Sequence, residues 1–160
     1  TVSHIAFRTW NQTYFQTLPG VQIAQNDEHC LLICAAVTEN KWIETRDVVQ
    51  MQGSGRFTLK GRLDRVINSG GIKLQPEKIE AVYQSKTSYP LFVAGIPDAF
   101  WGNKLVLFVE TAEKVSFDVA EDLLASYEIP KEIICLPSFI NTTSAKIDTA
   151  KTVALYLNSL

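Results

Sequence analysis

The chain is predicted to be an α+β protein, with a short all-β N-terminal piece followed by a compact α+β domain. Three observations predict this. Residues 1–60 hold short apolar runs separated by turn residues and no helical periodicity. From residue 61 onward, strand-like runs alternate with segments of helical period. Pro76, followed by Glu77 and Glu80, marks the first helix start.

In the N-terminal piece, residues 21–23, 31–37, 42–49 and 57–60 read as strands, and residues 18–20, 25–28 and 52–55 as turns. Beyond residue 61, Pro76 suits a first helical position because its missing N–H has no partner to lose there. Glu77 and Glu80 favour the positive end of the helix dipole, and Ile79, Val82 and Tyr83 give an i, i+3, i+4 apolar face. Residues 91–96 and 105–109 are apolar strand-type runs joined by a loop over 97–104 that carries Trp101-Gly102. Asp118 with Glu121 forms a capping-box pattern for a second helix. Its apolar face would be Val119, Ala120, Leu123, Leu124 and Tyr127, with Pro130 limiting it. Residues 132–136 read as a third strand. Asp148 caps a last helix with Val153, Ala154 and Leu157 inward.

With 160 residues, 46% of them hydrophobic and 20% charged, the chain is long and apolar enough for a sizeable core without disulfides. The net charge of −2 argues against nucleic-acid and anionic-membrane partners, which demand a basic surface. No apolar run reaches the roughly 18 residues of a membrane span. The first residues lack the basic start and apolar centre of a signal peptide. The cysteine count of 3 is odd, which speaks against a disulfide framework and fits buried thiols in a reducing cytoplasm. His4 and His29 have no partner spacing, so no metal site is expected. The residues leave homo-oligomer formation open.

Residues 61–80 read Gly-Arg-Leu-Asp-Arg-Val-Ile-Asn-Ser-Gly-Gly-Ile-Lys-Leu-Gln-Pro-Glu-Lys-Ile-Glu. They place Arg62, Asp64 and Lys73 close to Gly70-Gly71, which a core hairpin does not need and a loop approaching a phosphorylated ligand does. This stretch resembles the hinge motif of the adenylate-forming superfamily, which includes acyl-CoA synthetases, luciferase-like ligases and peptide-synthetase adenylation domains. Trp42-Ile43-Glu44-Thr45-Arg46-Asp47 is similar to the family's Trp-x-x-Thr-Gly-Asp segment. Gly95-Ile96-Pro97-Asp98 with Trp101-Gly102 resembles its lid-domain strand pair. Pro130-Lys131 through Ser144-Ala145-Lys146-Ile147-Asp148 resembles its closing motif. In this order the segments are far more specific than any one alone. Thr1-Val2-Ser3-His4-Ile5-Ala6 looks like the residues just after the family's Tyr-Gly-x-Thr-Glu motif, most of all in the o-succinylbenzoate–CoA ligases of menaquinone biosynthesis.

The resemblance implies that residues 1–62 are the end of a large N-terminal domain's β-barrel subdomain. It makes residues 63–160 the mobile C-terminal lid. It implies an enzyme that uses ATP with Mg²⁺, bound mainly by residues upstream of this chain, to convert a small carboxylic acid to an acyl-adenylate and then to an acyl-CoA. The chain alone is then expected to be inactive, since nothing like the family's phosphate loop occurs in it. By the same resemblance Asp47 takes the ribose diol, Arg62 contacts the nucleotide, and Asp64 is the hinge. Gly70, Gly71 and Lys73 face CoA and its pantetheine. Lys146, on the short flexible stretch 141–145, bridges the carboxylate and the α-phosphate during adenylation.

The residues by themselves allow plainer roles: Asp47 in a turn, Arg62 in a surface ion pair with Asp64, the glycine pair in an ordinary turn, and Lys73 and Lys146 as solvated lysines. Trp101 reads as a partly buried anchor. Two other readings stay open: a non-catalytic interaction or regulatory module derived from the lid, and an adenylation domain that loads a carrier protein. The chain departs from the family pattern at Arg46 and Ala145, each standing where glycine is usual.

Overall fold

The alternating apolar positions of the first sixty residues pair into one antiparallel sheet. A computed structural model of the chain describes residues 4–117 and 123–160. The chain divides into two units, Thr1–Arg65 and Val66–Leu160. In the first, strands β1 (Ala6–Phe7), β2 (Phe15–Thr17), β3 (Gln22–Gln25), β4 (Cys30–Cys34), β5 (Ile43–Gly53) and β6 (Arg56–Arg62) lie in the order β1-β2-β6-β5-β4-β3. Every neighbouring pair is antiparallel. Leu31, Ile33, Val49 and Phe57 form its buried core. Strands β1 and β2 span only 2 and 3 residues, too short to show a period in the sequence. A 3₁₀ turn at Ala36–Thr38 takes the end of the run predicted as strand over 31–37.

The second unit opens with the hairpin β7 (Ile67–Ser69) and β8 (Ile72–Leu74), which leads into helix α1 (Pro76–Gln84). Pro76 occupies the first turn as predicted. Strands β9 (Leu91–Asp98), β10 (Gly102–Glu110) and β11 (Glu132–Leu136) make a mixed sheet in the order β11-β10-β9, with β9–β10 antiparallel and β10–β11 parallel. Helix α2 (Thr149–Leu157) closes the unit.

The pleat sorts the apolar run of β9 and β10 onto two buried faces. Leu91, Val93, Leu105, Leu107 and Val109 pack with Ile79 and Tyr83 of α1. Phe92, Ile96, Val106 and Phe108 pack on the other face with Phe139 and with Val153 and Tyr156 of α2. A strand buried on both faces has no polar side to alternate with, so these segments read as continuous apolar runs. The Phe92 and Phe108 rings stack at 4.9 Å, and each such side chain fully removed from water contributes about 1.5–3 kcal/mol.

Several expectations change at this level. The predicted loop over 97–104 shrinks, because β9 runs to Asp98 and β10 starts at Gly102. Asp98 Oδ1 accepts the N–H groups of Phe100 and Trp101, both at 2.9 Å, which closes the turn in place of a longer loop. Asp118, Val119, Ala120 and Glu121 of the predicted second helix lie outside the described residues. Its described remainder, 123–130, forms turns, with Leu124 buried against the α1 face. Asp148 caps α2 as predicted, accepting from Lys151 N–H at 3.0 Å. The buried stripe of α2 is Thr152, Val153 and Tyr156, while Ala154 and Leu157 face outward. The hydrogen bonds that fix the helix start turn Thr152 inward. Among the described residues no helix is long and apolar enough to cross a membrane.

Candidate functional site

The predicted residues fall into three groups. The first sits at the end of the β5–β6 pair, where Asp47 and Arg62 are direct cross-strand partners. Arg62 Nη1 donates to Asp47 Oδ1 at 3.0 Å. Its Nε and Nη2 fork onto the Asp64 carboxylate at 2.9 and 2.8 Å. One planar guanidinium therefore fixes two carboxylates at once. Arg62's hydrogen bonds hold the Asp64 carboxyl below the ordinary aspartate range, with burial opposing and the charge of Arg46 adding to the effect. All three side chains are 36–49% exposed, so the pairs add little stability and serve mainly to orient one another.

Thr45 was not singled out by sequence, yet it sets the position of Asp47. Its hydroxyl donates to Leu31 O at 2.9 Å and accepts from Asp47 N–H at 3.1 Å. This happens where the β4–β5 ladder slips register between Cys30 and Leu32. The Thr-x-Asp spacing held the signal. Asp47 and Thr45 also line a cavity of about 200 Å³ whose other walls include Phe15, Leu31 and Phe57. Arg46, one residue away, is exposed.

The second group is the β7–β8 hairpin. Gly70 and Gly71 are its two turn residues, at φ of 57° and 82°, with Ser69 and Ile72 in register on either side. Positive φ at both turn positions is the requirement of a tight type I′ hairpin, which glycine meets without strain. Gly70 N–H donates to Trp101 O at 2.9 Å, and a Cβ on Gly70 would come within 2.9 Å of Trp101 Cε3. Trp101 is 38% exposed, and Lys131 Nζ lies 5.5 Å from its ring centre. Lys73 is exposed on β8 opposite Asn68. The glycine pair thus borders an aromatic face with a lysine on it. Lys131 stands in the segment that resembles the closing motif, but its place over the Trp101 ring had no sequence signal, because a cation over a ring is a tertiary contact.

The third group is the Lys146 turn. Residues 141–147 form a hydrogen-bonded hairpin. Asn141 and Ile147 bridge as antiparallel partners, Thr142 N–H donates to Lys146 O at 2.7 Å, and Ala145 N–H donates to Thr142 O at 3.0 Å. Ala145 sits at φ 57°, the left-handed position of a three-residue hairpin loop that glycine normally fills. Lys146 is exposed and forms no ion pair with the described residues. Ile147 packs against the Phe92–Phe108 face and anchors one side of the turn.

The first unit supplies a carboxylate for hydroxyl donors and a guanidinium, and the second, taken by itself, supplies an aromatic–glycine face and an ammonium with no ion pair among the described residues. Among the described residues no cluster of three or more His, Cys, Asp or Glu could hold a metal ion.

No family model matches the chain. It is 31% identical over 121 residues to a 2-hydroxy-7-methoxy-5-methyl-1-naphthoate–CoA ligase of Streptomyces carzinostaticus, covering 71% of this chain and 22% of that protein. It is 33% identical over 115 residues to the 2-succinylbenzoate–CoA ligase of Enterococcus faecalis, covering 69% of this chain and 24% of that protein. The chain therefore spans about a quarter of the length of the curated relatives it matches. Among solved structures, the o-succinylbenzoate coenzyme A synthetase of Bacillus subtilis in complex with ATP and magnesium ion matches at a TM-score of 0.72. That match is 19% identical and covers 86% of this chain and 35% of the other; at this identity it shows a shared fold alone.

Proposed function

We propose a function from one premise: the chain belongs to the adenylate-forming superfamily and corresponds to its C-terminal region. It is the C-terminal part of an ATP-dependent carboxylate–CoA ligase, with o-succinylbenzoate as the acid. The intact ligase works in the cytoplasm on ATP, CoA and the acid. It first forms an acyl-adenylate with release of pyrophosphate, then transfers the acyl group to the CoA sulfur with release of AMP. Both named curated relatives are ligases of aromatic acids, which supports an aromatic substrate.

The observation that carries this reading is the Asp47–Arg62–Asp64 cluster. Asp47, steadied by Thr45 and Arg62, offers acceptor oxygens to the two ribose hydroxyls of the nucleotide. Arg62 adds positive charge beside it. Asp64, gripped by the same guanidinium, is the hinge about which residues 63–160 turn between the half-reactions. In the adenylating state Lys146 neutralises charge growing on the α-phosphate and the acid's carboxylate, which its freedom from any ion pair among the described residues supports. In the thioester-forming state the Gly70-Gly71 hairpin lines the path of the pantetheine, with Lys73, Trp101 and Lys131 towards the CoA nucleotide.

Asp64→Pro in the full-length ligase tests the hinge. Proline fixes φ near −65° and removes both the backbone N–H and the carboxylate that Arg62 holds. One half-reaction should survive and the other fail, measured as pyrophosphate exchange and as thioester formation from supplied acyl-adenylate. Normal overall turnover would place the hinge elsewhere.

A further inference from the structure

The segment that enters the Lys146 hairpin and the helix that follows it meet at one buried hydroxyl. Asp148 N–H donates to Ile140 O at 2.7 Å, as an antiparallel pair requires. The return bond of that pair, from Ile140 N–H to Asp148 O, is not made directly. The Asp148 carbonyl already accepts Thr152 N–H at 3.0 Å as the first acceptor of α2. The Thr152 hydroxyl fills the gap. It accepts from Ile140 N–H at 3.1 Å and donates to Asp148 O at 2.8 Å, with the residue only 1% exposed. One side chain thus splices the hairpin ladder into the helix. The next rungs outward are the Asn141–Ile147 bridge and the Thr142–Lys146 bond, so the alignment of Lys146 depends on this splice.

We propose that Thr152 is a positioning residue for Lys146: its hydroxyl relays the missing rung between Ile140 and Asp148 and so holds the hairpin that presents the lysine. The inference rests on the reading of Lys146 given above. Thr152 touches no substrate; it acts through the hairpin. A valine at this position keeps the shape but leaves Ile140 N–H and Asp148 O without the relay, whereas serine keeps the relay and loses a methyl group.

The test has a structural arm and a kinetic arm. In this 160-residue chain, Thr152→Val should speed amide hydrogen exchange at Ile140, Thr142 and Ala145 by roughly tenfold or more, with the β10 amides unchanged as an internal reference for the fold. Thr152→Ser should restore slow exchange, and Thr152→Ala replaces valine if that variant does not fold. In the full-length ligase, Thr152→Val should lower kcat of adenylation by about tenfold with KM for ATP unmoved, again restored by serine. Unchanged exchange at Thr142 and Ala145 in both hydroxyl-deleting variants overturns the proposal. So does loosened exchange with normal adenylation, provided Lys146→Ala is defective. If Lys146→Ala adenylates normally, the role of Lys146 itself falls, and the positioning role falls with it.

Discussion

The hairpin at Gly70-Gly71 and the hairpin at Lys146 both turn through left-handed backbone, at φ of 57° and 82° in the first and 57° at Ala145 in the second. The first uses glycine at both positions, and one of them is required twice over. Gly70 needs the positive φ, and it needs the missing Cβ because Trp101 lies against it. The second uses an L-residue at a position where a side chain costs about 1–2 kcal/mol. That hairpin is held by bonds to its own Thr142 and by the buried Thr152 instead. A family motif that shows glycine at both places therefore hides two different demands. One is for space and conformation together, and the other is for conformation alone. Alanine meets both demands as obstacles at Gly70 and only the conformational one at position 145.

Three measurements can break or sharpen this contrast, from the largest effect to the smallest. Gly70→Ala should destabilise the second unit by about 2 kcal/mol or more, because the left-handed penalty and the contact with Trp101 add. Gly71→Ala, whose new Cβ would meet open space, should cost only the conformational part. Chemical denaturation of the two variants compares them directly, and equal losses would remove Trp101 from the explanation.

The helix that follows the glycine hairpin gives a pH-dependent contrast. Lys78 Nζ donates to both Glu128 oxygens at 2.6 Å, and Glu128 Oε2 also accepts from Ala125 N–H at 2.9 Å. Burial works against ionisation of Glu128, but these bonds outweigh it and hold its carboxyl below the ordinary value of 4.5. A lowered folded-state value means stability that is fully present above pH 4.5 and is lost as pH falls through the lowered value. Lys78 is 55% exposed, so the contribution is about 1 kcal/mol at neutral pH. Glu128→Gln should lower stability at pH 7 by that amount and flatten the acid limb of a denaturation series. An unchanged acid limb would show that the pair does not anchor α1.

The smallest effect belongs to the alanine. Ala145→Gly should raise stability by about 0.5–1 kcal/mol, since relief of the left-handed penalty exceeds the added freedom of the unfolded chain. A loss of stability would mean that the Ala145 side chain makes a contact worth more than its strain.

How much of this could be read from the sequence depended on the length and locality of each signal. The α1 start at Pro76, the strand over 132–136 and the Asp148 cap are written in local chemistry, and they stand where expected. Strands β1 and β2 escaped because 2 and 3 residues cannot show alternation. The inward face of α2 was misread because apolar period favoured Ala154 and Leu157, while a hydroxyl–backbone relay brought Thr152 inside. The cluster of Asp47, Arg62 and Asp64 was legible as a set of residues but not as one hydrogen-bonded unit. Its geometry comes from the cross-strand pairing of Asp47 with Arg62 and from the Thr45 hydroxyl that accepts Asp47 N–H, neither of which is a local pattern. Trp101 read as an anchor, and the packing of Gly70 on its ring agrees with that, while the contact of Lys131 with the ring joins positions thirty residues apart and lay outside any local pattern.

The central claim is that Lys146 serves one half-reaction only, and separate assay of the two steps in full-length Lys146→Ala ligase tests it most directly. Acyl-adenylate formation should fall by about 10²–10³ in rate, the scale of losing one charge-stabilising group, while thioester formation from supplied acyl-adenylate stays near wild type. Equal damage to both half-reactions, or none to the first, would contradict it.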